Sequence, residues 1–183
     1  MDVSDDGLTC SEVGKWAEEK HGLVSFYAKL FSTGMKDKWH ERVYIELYAG
    51  SGYSKIRETS RKIAGSPIQA LTLEHPFDKY IFCEKNSKNL DALKVRVEKT
   101  APLAKVTYVL GDCNQRIDDI LAEIPPHSPD LGYSPSDLLI LMTLELSLRH
   151  CASSQKSTWI SWSCSLSTWM QIGTSTTTLR TRR

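Results

Sequence analysis

The stretch Val43-Tyr44-Ile45-Glu46-Leu47-Tyr48-Ala49-Gly50-Ser51-Gly52 decides the reading of this chain. An apolar run containing one acid, Glu46, ends in a turn of small residues, Ala49, Gly50 and Gly52. Such a strand and turn meet a nucleotide-type ligand at the carboxyl end of the first strand of an open α/β sheet. Glycines there let the backbone come close to the ligand, because a Cβ would collide.

Lys79–Glu84 and Lys105–Leu110 repeat the apolar pattern, giving expected strands at 43–48, 79–84 and 105–110. Helices are expected between them. One follows Gly65-Ser66-Pro67, with Ser66 as N-cap and Pro67 in the first turn, where it needs no N–H partner. Others span Leu90–Lys99 and Ile117–Ile124, the last stopped by Pro125-Pro126. Residues 11–38 read as an N-terminal helix capped by Ser11, with Trp16, Leu23, Phe26, Tyr27, Leu30 and Phe31 mostly at helical spacing. Strand alternating with helix implies parallel strands. The fold class is α/β: an N-terminal helical segment followed by an incomplete, Rossmann-like parallel sheet.

Acids stand at the ends of all three strands. Glu84 is a candidate for ribose hydroxyls and Asp112 for the adenine side; each could instead be a loop or capping residue. Glu46 would orient the glycine turn or approach the cofactor's charged end. A dinucleotide fingerprint needs a third small residue where this chain has Lys55, which disfavours NAD or FAD. The acid and spacing, Glu-x-x-Ala-Gly-x-Gly, resemble the first motif of class I S-adenosylmethionine-dependent methyltransferases.

Composition bounds the alternatives. The net charge of +1 gives no excess that marks a nucleic-acid binder; it neither supports nor excludes a nucleic-acid substrate met by the basic loop 55–62, and 40% apolar residues suit a globular domain. No apolar run reaches membrane-spanning length and the first residues are acidic, so a cytoplasmic chain without membrane association is expected. Cys10, Cys83, Cys113, Cys151 and Cys164 are odd in number and widely spaced, which points to neither a disulfide framework nor a metal site. The Glu18-Glu19-Lys20-His21 cluster is a solvated helix face or lines the cofactor mouth. The basic residues Lys55, Arg57, Arg61 and Lys62 form a solvated loop or contact an anion.

Five blocks in order extend the likeness: Asp6 to His21, Val43 to Gly52, Gly65-Ser66-Pro67, Tyr80 to Glu84, and Gly111-Asp112-Cys113-Asn114. Together, over about residues 5–130, they resemble the three-Cys-motif partner (TcmP) family. The resemblance implies a methyltransferase-like fold, S-adenosylmethionine as cofactor and a three-cysteine-motif protein as partner. Family members usually carry Asp where this chain has Glu46. On this reading Glu46, Ala49, Gly50, Gly52, Glu84 and Asp112 bind the cofactor, and no catalytic residue is assigned. The alternative is a non-enzymatic docking module for the three-cysteine-motif protein.

The character of the chain changes after Pro129. No acid follows Glu145, Ser and Thr crowd residues 151–183, and Trp159, Trp162 and Trp169 fall among them without a helical or strand period. Reading the last base of each codon with the first two of the next forces Asp at Trp159-Ile160, Asp at Trp169-Met170 and Ala at Met170-Gln171. The same frame admits an apolar strand followed by a polar turn over 156–174, and the third frame is closed at Met142-Thr143. The expected organisation is therefore a domain over 1–131 and a truncating, out-of-frame, poorly structured tail over 132–183. The slip would lie near residues 128–140. The fourth strand would be lost and one edge of the first strand exposed, a hazard for solubility.

Overall fold

A computed structural model describes residues 2–37 and 41–124, with the backbone of 137–141 and 160–162. The elements in order are β1 (Ser11–Val13), α1 (Trp16–Met35), β2 (Arg42–Glu46), β3 (Tyr53–Ile56), β4 (Lys62–Ala64), α2 (Ser66–Leu71), β5 (Lys79–Glu84), α3 (Ser87–Thr100), β6 (Val106–Leu110), α4 (Ile117–Ala122), β7 (Asp137–Leu141) and β8 (Ile160–Trp162). The chain is a mixed α/β structure built on parallel strands.

The main sheet has the order β6-β5-β2-β7-β8, and every neighbouring pair is parallel. The chain steps outward from β2 to β5 to β6, then returns to the other side of β2 with β7. The order therefore reverses at β2, which is the kind of place where open α/β sheets leave a crevice at the strands' carboxyl ends.

Alternation along β2 sorts its side chains between two layers. Tyr44 joins Tyr80 and Phe82 in a core with Ala28 of α1, Ile68 and Leu71 of α2, and Leu90, Leu93 and Val97 of α3. Val43 and Ile45 join Ile81, Cys83 and Val109 on the opposite face, with Ile120 of α4. Tyr44 and Tyr80 are register partners, and their rings pack at 5.8 Å. Phe77 leans on both, at 5.2 and 5.9 Å. All of β2 is buried, as befits a central parallel strand covered on both faces. Arg42 begins it: its guanidinium pairs with Asp78 and donates to the carbonyls of Ser32 and Pro76, tying α1 to the sheet.

Several expectations are corrected. The fourth strand is present: β7 pairs with β2 from Arg42↔Asp137 to Glu46↔Leu141, so the edge expected to be exposed is covered. Leu138-Leu139-Ile140-Leu141 is the continuous apolar run that such a position favours. The expectation of an irregular tail thus fails at 137–141 and at 160–162. The rest of it, with Cys151, Cys164 and Trp169, lies outside the described residues.

The N-terminal helix begins at Trp16 rather than near residue 11, and no side chain caps it. Ser11 instead opens β1, which lies parallel to β3, and Gly14 separates strand from helix. The basic loop is a hairpin, β3 against β4, so β1-β3-β4 forms a second, small sheet. Gly65, not Ser66, occupies the N-cap of α2, which frees the Ser66 hydroxyl for another partner. Helix α3 starts earlier than expected because Asn86 caps it, its side chain accepting from the N–H groups of Lys88 and Asn89. Among the described residues, no helix is long and apolar enough to cross a membrane.

Candidate functional site

Glu46 and Glu84 are the last residues of adjacent strands, β2 and β5, and Asp112 follows β6. The sheet order therefore brings the three predicted acids to one end of the molecule, side by side. The small-residue turn, Ala49 to Gly52, leaves β2 at that same end.

Glu84 supports the turn directly. The Gly50 N–H donates to its Oε2 at 2.8 Å, and the Asn86 N–H donates to its Oε1 at 2.8 Å. One carboxylate thus ties the glycine turn to the start of α3. Each oxygen keeps acceptor capacity for a further donor.

The two glycines differ in kind. Gly50 has φ +63°, and nothing among the described residues lies within 4 Å of where a Cβ would stand. Gly52 has φ +84°, and a Cβ there would meet Leu93 Cδ1 at 2.9 Å and Ile68 Cγ1 at 3.2 Å. The absence of a side chain at Gly52 has a packing reason of its own. Its missing Cβ makes room for the core side chains of α2 and α3. Gly50 alone borders open space. Ala49 is buried, its N–H donating to the Cys83 carbonyl at 3.0 Å, and it belongs to the core rather than to the open side.

Glu46 lies on the same face of β2 as Tyr44, and only 7% of the residue is accessible. Tyr44 Oη donates to Glu46 Oε2 at 3.0 Å, and Ser66 Oγ donates to Oε1. Burial pushes its carboxyl up to about 7, against the opposing pull of those two hydroxyls. Glu46 therefore ties β2 to the first residue of α2, and it changes charge near neutral pH.

Asp112 forms a local cap. Its Oδ1 accepts from Asn114 N–H and Nδ2, and its Oδ2 pairs with Lys85 at 3.1 Å. Those hydrogen bonds, with Lys85 the largest contributor, hold its carboxyl below the usual range. A ligand donor approaching Asp112 competes with Lys85 for Oδ2.

The basic residues of the hairpin face acids of the N-terminal segment. Arg61 pairs with Asp2 at 2.6 Å and Glu18 at 3.3 Å, Lys62 with Asp5, and Lys55 with Glu12 at 3.4 Å. In the 18–21 cluster, Lys20 lies over the Trp16 ring, and its charge is felt at Glu46. His21 Nδ1 is buried without a hydrogen-bond partner among the described residues, and burial lowers the imidazole's pKa. Cys83 and Cys113 are buried free thiols, and burial pushes Cys83 up to about 12, far from a reactive thiolate. Among the described residues, no group of His, Cys, Asp and Glu converges as metal ligands.

Sequence reasoning missed Arg96. Its side chain is 1% exposed, and it joins Asp6 at 2.7 Å to the turn carbonyl of Ser51 at 2.6 Å. The available signal was its spacing: Leu90, Leu93 and Val97 mark the buried face of α3, and Arg96 sits among them.

The chain matches no protein-family model, no curated protein and no solved structure.

Proposed function

We propose that this chain is an S-adenosylmethionine-dependent, methyltransferase-like protein of the three-Cys-motif partner type, with a Rossmann-like fold. The observation that carries the reading is the position of the Gly50 turn. It stands at the carboxyl end of the strand where the sheet order reverses, with its Cβ side open and Glu84 beneath it. The residues suit the group. Glu84 keeps acceptor capacity for a ribose diol, and the glycine turn offers backbone close to a ligand without a side chain in the way. Ala49, Gly52 and Glu46 act from behind, by fixing the turn and the start of α2.

When bound, S-adenosylmethionine would supply an electrophilic methyl group. The described residues bind and orient it, and such positioning can contribute much of a transfer rate. Glu84→Ala is expected to weaken S-adenosylmethionine binding about tenfold or more, the effect of losing a hydrogen bond to a charged acceptor. Calorimetric titration checks this, and unchanged affinity in the variant would remove Glu84 from the site.

A second reading is favoured by a separate observation. Trp16, Leu23, Phe26 and Leu30 lie on α1 and are all exposed. Their spacing places them along one side of the helix, a stripe larger than isolated surface apolar residues require. That stripe suits a docking module for a three-cysteine-motif protein in which the Gly50 turn has no catalytic duty. Co-purification with such a partner, lost on Leu23→Glu and Phe26→Glu but kept on Glu84→Ala, distinguishes docking from cofactor binding. The composition after Pro129 supports the further reading that the tail is out of frame. The nucleotide sequence around codons 126–145, read in all frames, tests it.

A further inference from the structure

The N-terminal segment encloses the small sheet. The Val3 N–H donates to the Lys62 carbonyl, and Asp2 bridges to Ile63 on the outer edge of β4, while β1 pairs with the outer edge of β3. Between these two attachments the chain crosses a single buried cation. The Arg96 fork holds Asp6 through Nε and Nη2 at 2.7 and 2.8 Å. Its Nη1 donates to the carbonyls of Thr9 at 2.9 Å and Ser51 at 2.6 Å, and Nη2 reaches the Leu8 carbonyl at 3.4 Å. The guanidinium also lies 4.3 Å from the centre of the Tyr53 ring. All five of its N–H donors have acceptors, and among the described residues those acceptors come from two places: residues 6–9 and the turn between Gly50 and Gly52.

We propose that Arg96 is a positioning residue that couples the glycine turn to the N-terminal segment, so that a ligand seated on the turn orders residues 5–13 and release of those residues loosens the turn. The ligand half of this inference rests on the reading that S-adenosylmethionine occupies the turn; the tether between turn and segment stands without it. The physical basis is shared fixation. A guanidinium has one plane and a rigid fork, so moving Asp6 out of register also moves the donor on Ser51. Coupling of this kind is reciprocal: whatever the turn's order does for the segment, the segment's order does for the turn. Asp6 is strongly engaged, its carboxyl drawn down to about 2 chiefly by the Arg96 hydrogen bonds.

Hydrogen–deuterium exchange on the full chain tests this with Asp6→Asn, a change at a partly exposed position, and with Arg96→Lys, which keeps the charge and removes the fork. Without ligand, both variants are expected to speed exchange about tenfold in 5–13 and in 50–53 together, leaving β5 unchanged, as a local opening does. Faster exchange in 5–13 alone, or a uniform rise that includes β5, overturns the tether. With S-adenosylmethionine, the wild type is expected to slow in both segments and Asp6→Asn in 50–53 only. Protection of 50–53 without 5–13 in the wild type overturns the coupling. Absence of protection anywhere overturns the ligand half together with the cofactor reading, while the ligand-free comparison still decides the tether.

Discussion

Gly52→Ala is expected to destabilise the fold by about 2–4 kcal/mol, combining a left-handed backbone that L residues resist with overpacking of a filled core. The new methyl would stand 2.9 Å from Leu93 Cδ1 and 3.2 Å from Ile68 Cγ1. Both side chains are buried, so neither can swing aside into solvent. Gly50→Ala is the informative partner. It carries the same backbone cost, about 1–2 kcal/mol, without a steric term, because nothing among the described residues lies within 4 Å of its Cβ position. Urea unfolding monitored by circular dichroism separates them. The midpoint should fall clearly further for Gly52→Ala, with an unchanged slope in both. Equal losses would mean that Gly52 does not pack against α2 and α3 as described.

Glu46 gives the second large effect, in the pH dependence of stability. Its carboxyl is raised from the ordinary value of 4.5 to about 7 by burial. Between those values the folded chain holds a proton that the unfolded chain has lost, so stability falls as pH rises through the interval. The loss on going from below pH 4.5 to above pH 7 is about 3 kcal/mol from this group. Glu46→Gln cannot ionise and should flatten that part of the profile. It should equal or exceed the wild type above pH 7, where the wild type buries a charge. Stability measured by denaturant titration from pH 5 to 8 checks the sign. A stability difference, wild type minus Glu46→Gln, that stays flat or rises across this window would show that Glu46 stays ionised and well paired.

These two residues show what was legible in the sequence. The run from Val43 to Gly52 announced both a buried central strand and a turn, because apolar continuity and small residues are local properties. The acids at the strand ends were legible for the same reason, and the parallel order brought them together. The role of Gly52 was not, since its neighbours Ile68 and Leu93 come from two later helices. β1 and β4 are three residues long, too short to show a period, and β1 is polar. Their pairing depends on a hairpin that read as a charged loop. Arg96 stands among the buried positions of α3, but its partner Asp6 lies ninety positions earlier in the chain, so their pairing has no local signal. β7 was hidden by the change of composition around it, although Leu138 to Leu141 alone has the pattern of a buried strand.

The open side of the Gly50 turn is the binding site proposed for S-adenosylmethionine. Isothermal titration of the full chain, beside Gly50→Ala, tests it most directly. The alanine has room within the protein but projects into the space assigned to the ligand. The expected result is saturable binding by the wild type, weakened at least about tenfold, or about 1.4 kcal/mol, in Gly50→Ala at a temperature where both are folded. Absence of binding by folded wild-type protein, or equal affinity in the two chains, would contradict it.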